Sequence, residues 1–305
     1  MSQPFALAIC VGPDPQELDR IADLLDALRT YEPGPCYFVM ADDGAEDRNL
    51  ASYFAFPENV KPASVPHPRR QFPERAAKAN RGKGICAAVL QTISWIAKNA
   101  SDASFVLKVD TDAHIINPFV RKLNVIVKAN PEVGMFGAFT KTPDGSKRDW
   151  TKNAKTAREL HTPPSLVRRV KNKLGVDERA IISRHFDKAV KNGYEYGEHC
   201  LGGAYALSAE LLKRMLAAGY LEDPALWLPI DCPEDVMVGM YTKAVGMRHM
   251  NYVSPGEVFG VRHKGLPDSP EKLVEKDYSV IHALKNDSNI SEEEIRVFFR
   301  TRRGK

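Results

Sequence analysis

Residues 105–119 read FVLKVDTDAHIINPF, and this stretch decides both the fold class and the kind of site that we expect. Residues 105–109 are apolar except for Lys108, which predicts a short buried strand. Asp110 and Asp112 follow directly, and side chains two residues apart point to the same side of an extended chain. Two carboxylates about 4 Å apart repel each other by about 4 kcal/mol at an effective dielectric constant of about 20. A bound cation or a shared proton removes this repulsion.

The chemistry that we expect of this Asp-x-Asp pair is binding of a divalent cation. Mg²⁺ and Mn²⁺ prefer oxygen ligands, and Mg²⁺ is usually held by few carboxylates together with substrate phosphates. The alternative is a turn or helix cap, because Asp is common after strands and Asn117-Pro118 soon opens another segment. We therefore predict a site for Mn²⁺ or Mg²⁺ and a diphosphate at the end of this strand.

The surrounding sequence alternates between strand and helix patterns, which predicts an α/β fold with a mostly parallel sheet flanked by helices. Apolar runs predict strands, and apolar residues at helical spacing predict helices. The stretch 56–73 holds five prolines and is predicted to be a loop. The predicted strands are 5–12, 36–44, 105–109 and 133–139, with helices at 16–31 and 80–100, a strand that runs into a helix at 202–219, and a helix at 233–246.

The segment 141–192 differs from the rest in charge. It holds fourteen Lys and Arg against six Asp and Glu, with helical patterns at 165–174 and 177–191. We expect a basic helical insertion, either as a solvated surface or as a surface near a phosphate-bearing substrate.

Composition narrows the class of protein. The chain has 305 residues, of which 43% are hydrophobic and 27% charged, with a net charge of +4. This is enough to build a large core, and no motif predicts nucleic-acid binding. The five cysteines are widely spaced, the N-terminus has no basic leader, and no run of about 18 apolar residues occurs. We expect a soluble cytoplasmic protein.

Other motifs add candidate site residues. The turn NRGKG at 80–84 offers glycines, a helix start and Lys83, which together suit an anion. Asp42 and Asp43 end the second strand, where an acid can bond a ribose hydroxyl or a base edge, although a solvated turn is the alternative. Glu234 and Asp235 open a helix, where acids are favoured electrostatically.

Two roles remain open at this point. One of the two acids at 234–235 could serve as a general base that takes a proton from an attacking hydroxyl. His263 lies in the stretch 253–267, which is strand-like and then irregular, and is a candidate third metal ligand, although a lone histidine is more often structural.

In combination, these motifs resemble the GT-A-fold glycosyltransferases that use nucleotide sugars. NRGKG is similar to a turn of family 2-type inverting transferases. LGGAYALS and PEDVMVG are similar to a motif pair of β-1,3-galactosyl- and N-acetylglucosaminyltransferases and their fringe-like relatives. The resemblance spans about residues 5–265.

The resemblance implies a role for each matched residue. Asp110 and Asp112 would hold the metal and the donor diphosphate, and His263 would complete the metal site. Asp42 or Asp43 would contact the nucleoside, and Lys83 the base or diphosphate. Asp235, or else Glu234, would be the base of a single inverting displacement. Gly202 and Gly203 would let the backbone approach the donor sugar or the acceptor closely.

The resemblance also implies partners. The donor is expected to be a UDP-sugar, and the acceptor a glycan, a lipid-linked sugar or a phosphate-bearing molecule. We predict one catalytic domain at 1–285 that includes the insertion, and a basic amphipathic helix at 286–305 that either docks on the core or contacts the inner face of a membrane.

Three alternatives are less consistent with the motifs. A haloacid-dehalogenase-type phosphatase would have Thr or Val where His114 stands. A nucleotidyltransferase would have a glycine-rich, arginine-containing signature after the first strand. A non-catalytic sugar- or partner-binding protein with the same sheet would differ only in lacking activity.

Overall fold

The computed structural model describes residues 3–44, 46–77, 84–162 and 177–304. Ten strands occur in these ranges: β1 (Phe5–Val11), β2 (Cys36–Asp42), β3 (Val60–Pro66), β4 (Phe105–Val109), β5 (His114–Ile115), β6 (Val133–Gly137), β7 (Ala204–Ser208), β8 (Arg248–Asn251), β9 (Phe259–Val261) and β10 (Val280–His282).

Twelve α-helices lie in the same ranges, and a short 3₁₀ helix, Pro224–Trp227, follows the ninth. They are α1 (Gln16–Tyr31), α2 (Leu50–Tyr53), α3 (Pro68–Gln71), α4 (Pro73–Ala76), α5 (Ile85–Asn99), α6 (Val120–Ala129), α7 (Thr151–His161), α8 (Glu178–Lys191), α9 (Ala209–Ala217), α10 (Glu234–Ala244), α11 (Pro270–Glu275) and α12 (Glu292–Arg302).

The main sheet confirms the predicted fold class. Its seven described strands run in the order β3-β2-β1-β4-β7-β6-β8. Neighbours β1, β2, β3 and β4 are parallel, and so are β6 and β8, whereas β7 is antiparallel to both of its neighbours. Helices cover both faces and bury two large apolar clusters against the sheet. Since β7 runs backwards, its start lies beside the end of β4, where the Asp-x-Asp motif begins.

A second sheet of three short strands lies in the order β5-β10-β9. Strand β5 comes four residues after β4, and β10 pairs with it in the antiparallel direction. This pairing brings the chain near residue 282 back to the Asp-x-Asp loop.

The predicted loop at 56–73 is wrong, because it contains β3 and α3. Strand β3 is the last strand on its side of the sheet, where prolines are tolerated since one row of backbone groups needs no partner. Pro68 occupies the first turn of α3, where a missing N–H costs nothing. The five prolines therefore obscured an edge strand and a helix start.

Most predicted helix boundaries are confirmed. Helix α1 spans the predicted residues, the Ser208 side chain caps α9, and Ser291 with Glu294 forms the capping box of α12. The insertion contains α7 and α8, while the predicted helix at 165–174 lies outside the described residues. Within the described ranges, no helix combines the length and apolar composition needed to cross a bilayer.

The C-terminal helix α12 is docked on the core. Its apolar residues Ile295 and Phe299 are buried in a third apolar cluster together with residues such as Leu273 and Ile281. On its other side, Arg296 and Arg303 bind the carboxylate of Asp23 in α1, at 2.9 and 2.5 Å. The apolar face that the membrane prediction required is therefore occupied by the protein itself.

The Asp23 carboxylate is expected to contribute strongly to stability. Asp23→Ala leaves two buried guanidinium groups without their anion, which should lower the free energy of unfolding by about 3 kcal/mol. Urea denaturation measures this change. The control is Glu210→Ala, which removes an exposed pair with Arg214 and should cost less than about 1 kcal/mol. Equal costs for the two variants would contradict this role of Asp23.

Candidate active site

The two aspartates and a histidine form a cluster at the end of β4. Asp110, Asp112 and His282 each place a potential ligand atom within 4.8 Å of the others. His282 Nε2 lies 3.3 Å from Asp112 Oδ1 and 3.8 Å from Asp110 Oδ2. The structure thus brings together the predicted Asp-x-Asp pair and adds a histidine from β10.

Hydrogen bonding sets the state of the His282 ring. Its Nδ1 lies 2.8 Å from the carbonyl oxygen of Arg262, which can only accept, so Nδ1 carries the proton and donates. The other nitrogen, Nε2, faces the two carboxylates, where either a proton or a cation can lie between them. Two carboxylates with one imidazole are a common donor set for divalent metals.

The histidine predicted for this cluster, His263, is not part of it. Among the described residues, the position beside the aspartates belongs to His282. His263 lies two residues after β9, in an exposed loop, although it lines the same cavity. The reason is the pairing of β9 with β10, which places His282 opposite Val261 at the end of both strands.

Asp112 is held in its charged form. Burial alone would raise the pKa of this carboxyl, but His282 and Lys285 outweigh burial and lower it to about 2. Lys285 Nζ lies 3.4 Å from Asp112 Oδ2. The carboxylate is therefore ionised wherever the protein is folded near neutral pH.

Lys108 connects this cluster to the predicted catalytic acids. The residue is 1% exposed in the middle of β4. Its ammonium donates to Asp110 Oδ1 at 2.6 Å, to the Gly202 carbonyl at 2.6 Å and to Glu234 Oε1. Burial opposes the charge, but the two carboxylates outweigh it and raise the pKa of Lys108. All three ammonium protons are used, so Lys108 fixes three chain segments around one point.

Glu234 and Asp235 occupy the first turn of α10 and face the same cavity. Burial raises the pKa of Glu234; the Lys108 ammonium opposes this rise because it favours the carboxylate, and Asp235 adds to the rise. Glu234 Oε2 is buried with no hydrogen-bond partner among the described residues. The two acids therefore differ: Glu234 is bound to Lys108, and Asp235 lies beside a different basic pair.

That basic pair consists of His199 and Arg148. His199 Nδ1 donates to the Gly197 carbonyl at 2.6 Å, which leaves Nε2 to accept from Arg148 Nη2 at 2.7 Å. Burial lowers the pKa of His199, so the ring is neutral. Asp235 Oδ2 lies 3.3 Å from the same Nε2, so the carboxylate is close to the Arg148 guanidinium.

The two predicted glycines leave room for these groups. A Cβ on Gly203 would lie 2.1 Å from His282 Nδ1, and one on Gly202 would lie 3.0 Å from both Glu234 Oε1 and Asp235 Oδ2. The contact of these glycines with a donor or acceptor stays a prediction. Each position nevertheless needs glycine for a local reason, and a side chain at 203 would displace His282.

The acids after β2 have unequal access. The Asp42 carboxylate is fully buried and accepts bonds from the Gly44 and Arg48 backbone and from the Arg48 guanidinium. Asp43 is partly exposed and lies 3.1 Å from an Arg69 nitrogen. Asp42 therefore shapes its own turn, and Asp43 is the member of the pair that a nucleoside could reach. The third predicted donor residue in this region, Lys83, lies outside the described residues.

The cavity that joins these groups has a volume of about 340 Å³. It brings together most of the predicted site and several residues that the sequence analysis missed. It is lined by Ile85, Asp110, Asp112, Leu201, Gly202, Gly203, Pro233, Glu234, Asp235, His263, His282, Ala283, Lys285 and Asn286.

The missed residues carried weak signals. A lysine inside an apolar strand must find an anion when buried, which could have marked Lys108. The run Ser279-Val280-Ile281 ends in His282, the same pattern of apolar residues followed by a potential ligand that drew attention to Asp110. For His199 and Arg148 the sequence offered no comparable signal.

Comparison with known proteins identifies the class. The family model described as Galactosyltransferase matches residues 85–253, more than half of the chain. The chain therefore belongs to the galactosyltransferase family, a class of glycosyltransferase enzymes.

The fold is similar to that of a solved glycosyltransferase structure. The apo structure of the bifunctional glycosyltransferase WbbM is 12% identical, with a TM-score of 0.50, and the match covers 98% of this chain and 50% of WbbM. This chain thus spans about half the length of WbbM. The apo form of mouse xyloside xylosyltransferase 1 is 12% identical, with a TM-score of 0.41 and coverage of 85% and 88%. No curated protein sequence matches significantly.

We expect a strong energetic coupling between Lys108 and Glu234. Lys108→Met leaves Asp110 and Glu234 without their cation, and should lower the free energy of unfolding by about 3 kcal/mol. Adding Glu234→Gln to this variant removes a buried charge and should restore part of the loss, whereas Glu234→Gln alone should destabilise. Urea denaturation of the four proteins measures the coupling. Additive effects would contradict the bridge.

Proposed function

We propose that this protein transfers a hexosyl group from a nucleoside diphosphate sugar to an acceptor hydroxyl, with a divalent cation and inversion at the anomeric carbon. One observation carries the proposal: a single cavity has the Asp110–Asp112–His282 cluster on one wall and the Glu234–Asp235 pair on another. A transferase needs both a binding site for the leaving diphosphate and a base that takes the proton of the incoming hydroxyl.

The cluster is suited to a cation that meets the diphosphate. Asp110, Asp112 and His282 would hold it, and Lys285 adds a positive charge beside Asp112. Such a cation would stabilise the negative charge that develops on the departing diphosphate. The single imidazole favours Mn²⁺ over Mg²⁺, which takes mainly oxygen ligands.

The nucleoside is expected at the ends of β2 and β3. Asp43 lies there with Arg69 and His67, and Arg70 donates to the Asp42 carbonyl at 2.8 Å. Carboxylate and guanidinium groups can bond a ribose and a base edge or phosphate. A uridine nucleotide is our preferred donor.

Asp235 is our choice for the base. It opens α10 and lines the cavity, and its carboxylate is not taken up by Lys108, unlike that of Glu234. An incoming acceptor hydroxyl would pass its proton to Asp235 as it attacks the anomeric carbon from the face opposite the diphosphate. We further propose a cytoplasmic location and a glycan, lipid-linked or phosphate-bearing acceptor.

The proposed activity is tested by a panel of nucleotide sugars, with hydrolysis and transfer measured with and without Mn²⁺. Cation-dependent release of a nucleoside diphosphate from at least one donor is expected. A complete lack of binding and turnover with every donor and cation would overturn the proposal.

The ligand set is tested by matched histidine variants. His282→Ala and Asp112→Asn should weaken Mn²⁺ binding by about 10- to 100-fold, because each removes a donor atom. His263→Ala, in the same cavity but outside the cluster, should leave the affinity within about threefold. Mn²⁺ titration followed by electron paramagnetic resonance measures both. If His263→Ala weakens binding and His282→Ala does not, the assignment is reversed.

The base is tested by Asp235→Asn. Transfer should fall by about 10²- to 10⁴-fold, the usual range for loss of a general base, while the dissociation constant for UDP with Mn²⁺ stays unchanged. Glu234→Gln is the comparison variant. Loss of transfer in Glu234→Gln with activity retained in Asp235→Asn would assign the base to Glu234.

A further inference from the structure

A second cavity lies beside edge strand β8. Its volume is about 730 Å³, about twice that of the catalytic cavity. We call it the edge cavity. Its walls come from the chain after β6, from α7, from the end of α10 and from the start of β8. The lining residues are Phe139, Thr140, Lys147, Arg148, Asp149, Trp150, Thr151, Ala154, Arg158, Glu195, Glu198, Lys243, Arg248 and His249.

Three stacked rings form part of the wall. Phe139 lies between Trp150 and His249, with ring centroids 5.2 and 4.9 Å apart and interplanar angles of 24° and 30°. Flat rings of this kind offer a rigid apolar surface with polar edges. The C–H face of a pyranose ring is complementary to such a surface.

The same rings carry polar atoms that lack partners. Trp150 Nε1 and both ring nitrogens of His249 are buried without a hydrogen-bond partner among the described residues. Burial lowers the pKa of His249 to about 3, so the ring is neutral and has one donor and one acceptor. Buried polar groups without partners are rare and costly. A sugar hydroxyl both donates and accepts, so it suits such a nitrogen once a small movement of the ring turns that atom toward the cavity.

The charges of the edge cavity favour a neutral ligand. Glu195, Glu198 and Asp149 lie among its cationic residues, and Glu198 is paired with Lys243 at 3.2 Å. The Arg148 guanidinium is already bonded to the carbonyls of Ala138 and His199. Lys147, Arg158 and Arg248 line the same cavity, so charges of both signs surround the aromatic rings, and such mixed surroundings suit hydroxyl groups.

Two side chains lie between the edge cavity and the Asp235 carboxylate of the candidate active site. Arg148 lines the edge cavity and lies 2.7 Å from His199, whose Nε2 is 3.3 Å from Asp235 Oδ2. A molecule bound in the edge cavity therefore lies on the Asp235 side of the active site, away from the Asp-x-Asp cluster.

We propose that the edge cavity binds a saccharide against the wall formed by Trp150, Phe139 and His249, and that this saccharide is part of the acceptor. The second half of the proposal rests on the proposed function. The cavity has room for about two to three sugar residues, given that small-ligand pockets run from about 300 to 1,000 Å³.

Calorimetric titration of the full chain with lactose, N,N′-diacetylchitobiose and cellotriose tests the binding. At least one saccharide should bind, and Trp150→Ala should raise its dissociation constant about tenfold. Thr151→Trp is the second variant, because it fills the cavity from an exposed position and leaves the stack intact; it should also weaken binding. Tyr53→Ala, which removes an aromatic ring exposed elsewhere, is the control and should bind as wild type.

Kinetics test the link to the acceptor. In Trp150→Ala and Thr151→Trp, the KM for the acceptor should rise about tenfold while the rate of donor hydrolysis by water stays unchanged.

The outcomes separate the two proposals. Three results would overturn the edge-cavity proposal. Saccharide could bind equally to wild type, Trp150→Ala and Thr151→Trp, or no saccharide could bind at all. The third result is binding of inorganic phosphate in place of every saccharide. If donor hydrolysis is absent in wild type too, the proposed function fails, and the titrations alone decide whether the cavity binds saccharide.

Discussion

The buried ammonium of Lys108 is the interaction around which the active site is organised. It joins the end of β4, the turn before β7 and the first turn of α10, because each of these supplies one acceptor to a single nitrogen. A buried cation without such partners would be far too costly. The three segments are therefore held in one arrangement, and the Asp-x-Asp loop and the Glu234–Asp235 pair keep a fixed spacing across the cavity.

The reversed strand β7 explains how this arrangement arises in a largely parallel sheet. Parallel strands gather their carboxyl ends at one edge, where ligands bind. An antiparallel strand contributes its start to the same edge, and here that start is Gly202-Gly203. Because glycine has no side chain, His282 and the two acids of α10 approach this turn closely. Small residues at one point thus allow charged groups from three directions to meet.

Much of this could be predicted from sequence, since local patterns determine local structure. The apolar run at 105–109 and the helix at 16–31 depend on neighbours in the chain, and both are confirmed. Edge strand β3 was missed because its prolines read as a loop, although an edge tolerates them.

The site residues that sequence did not reveal depend on distant pairing. His282 reaches the aspartates only through the β5–β10 pairing, which no sequence pattern predicts. Lys108 is visible in the sequence as a lysine within an apolar strand. Its partner Glu234 lies 126 positions away, however, and no local sequence pattern links the two. The same holds for Asp42, whose burial by Arg48 and Arg70 depends on how the turns after β2 and β3 fold together.

The small sheet of β5, β10 and β9 makes the Asp110–Asp112–His282 cluster depend on residues that are far apart in the chain. Its aspartates come from the first half of the chain and its histidine from near the C-terminal end, beyond residue 253, where the match to the family model stops. During synthesis, the two carboxylates would stay without their histidine until β10 has been made. If the cluster binds a cation as proposed, full affinity would mark a polypeptide in which β10 has paired with β5.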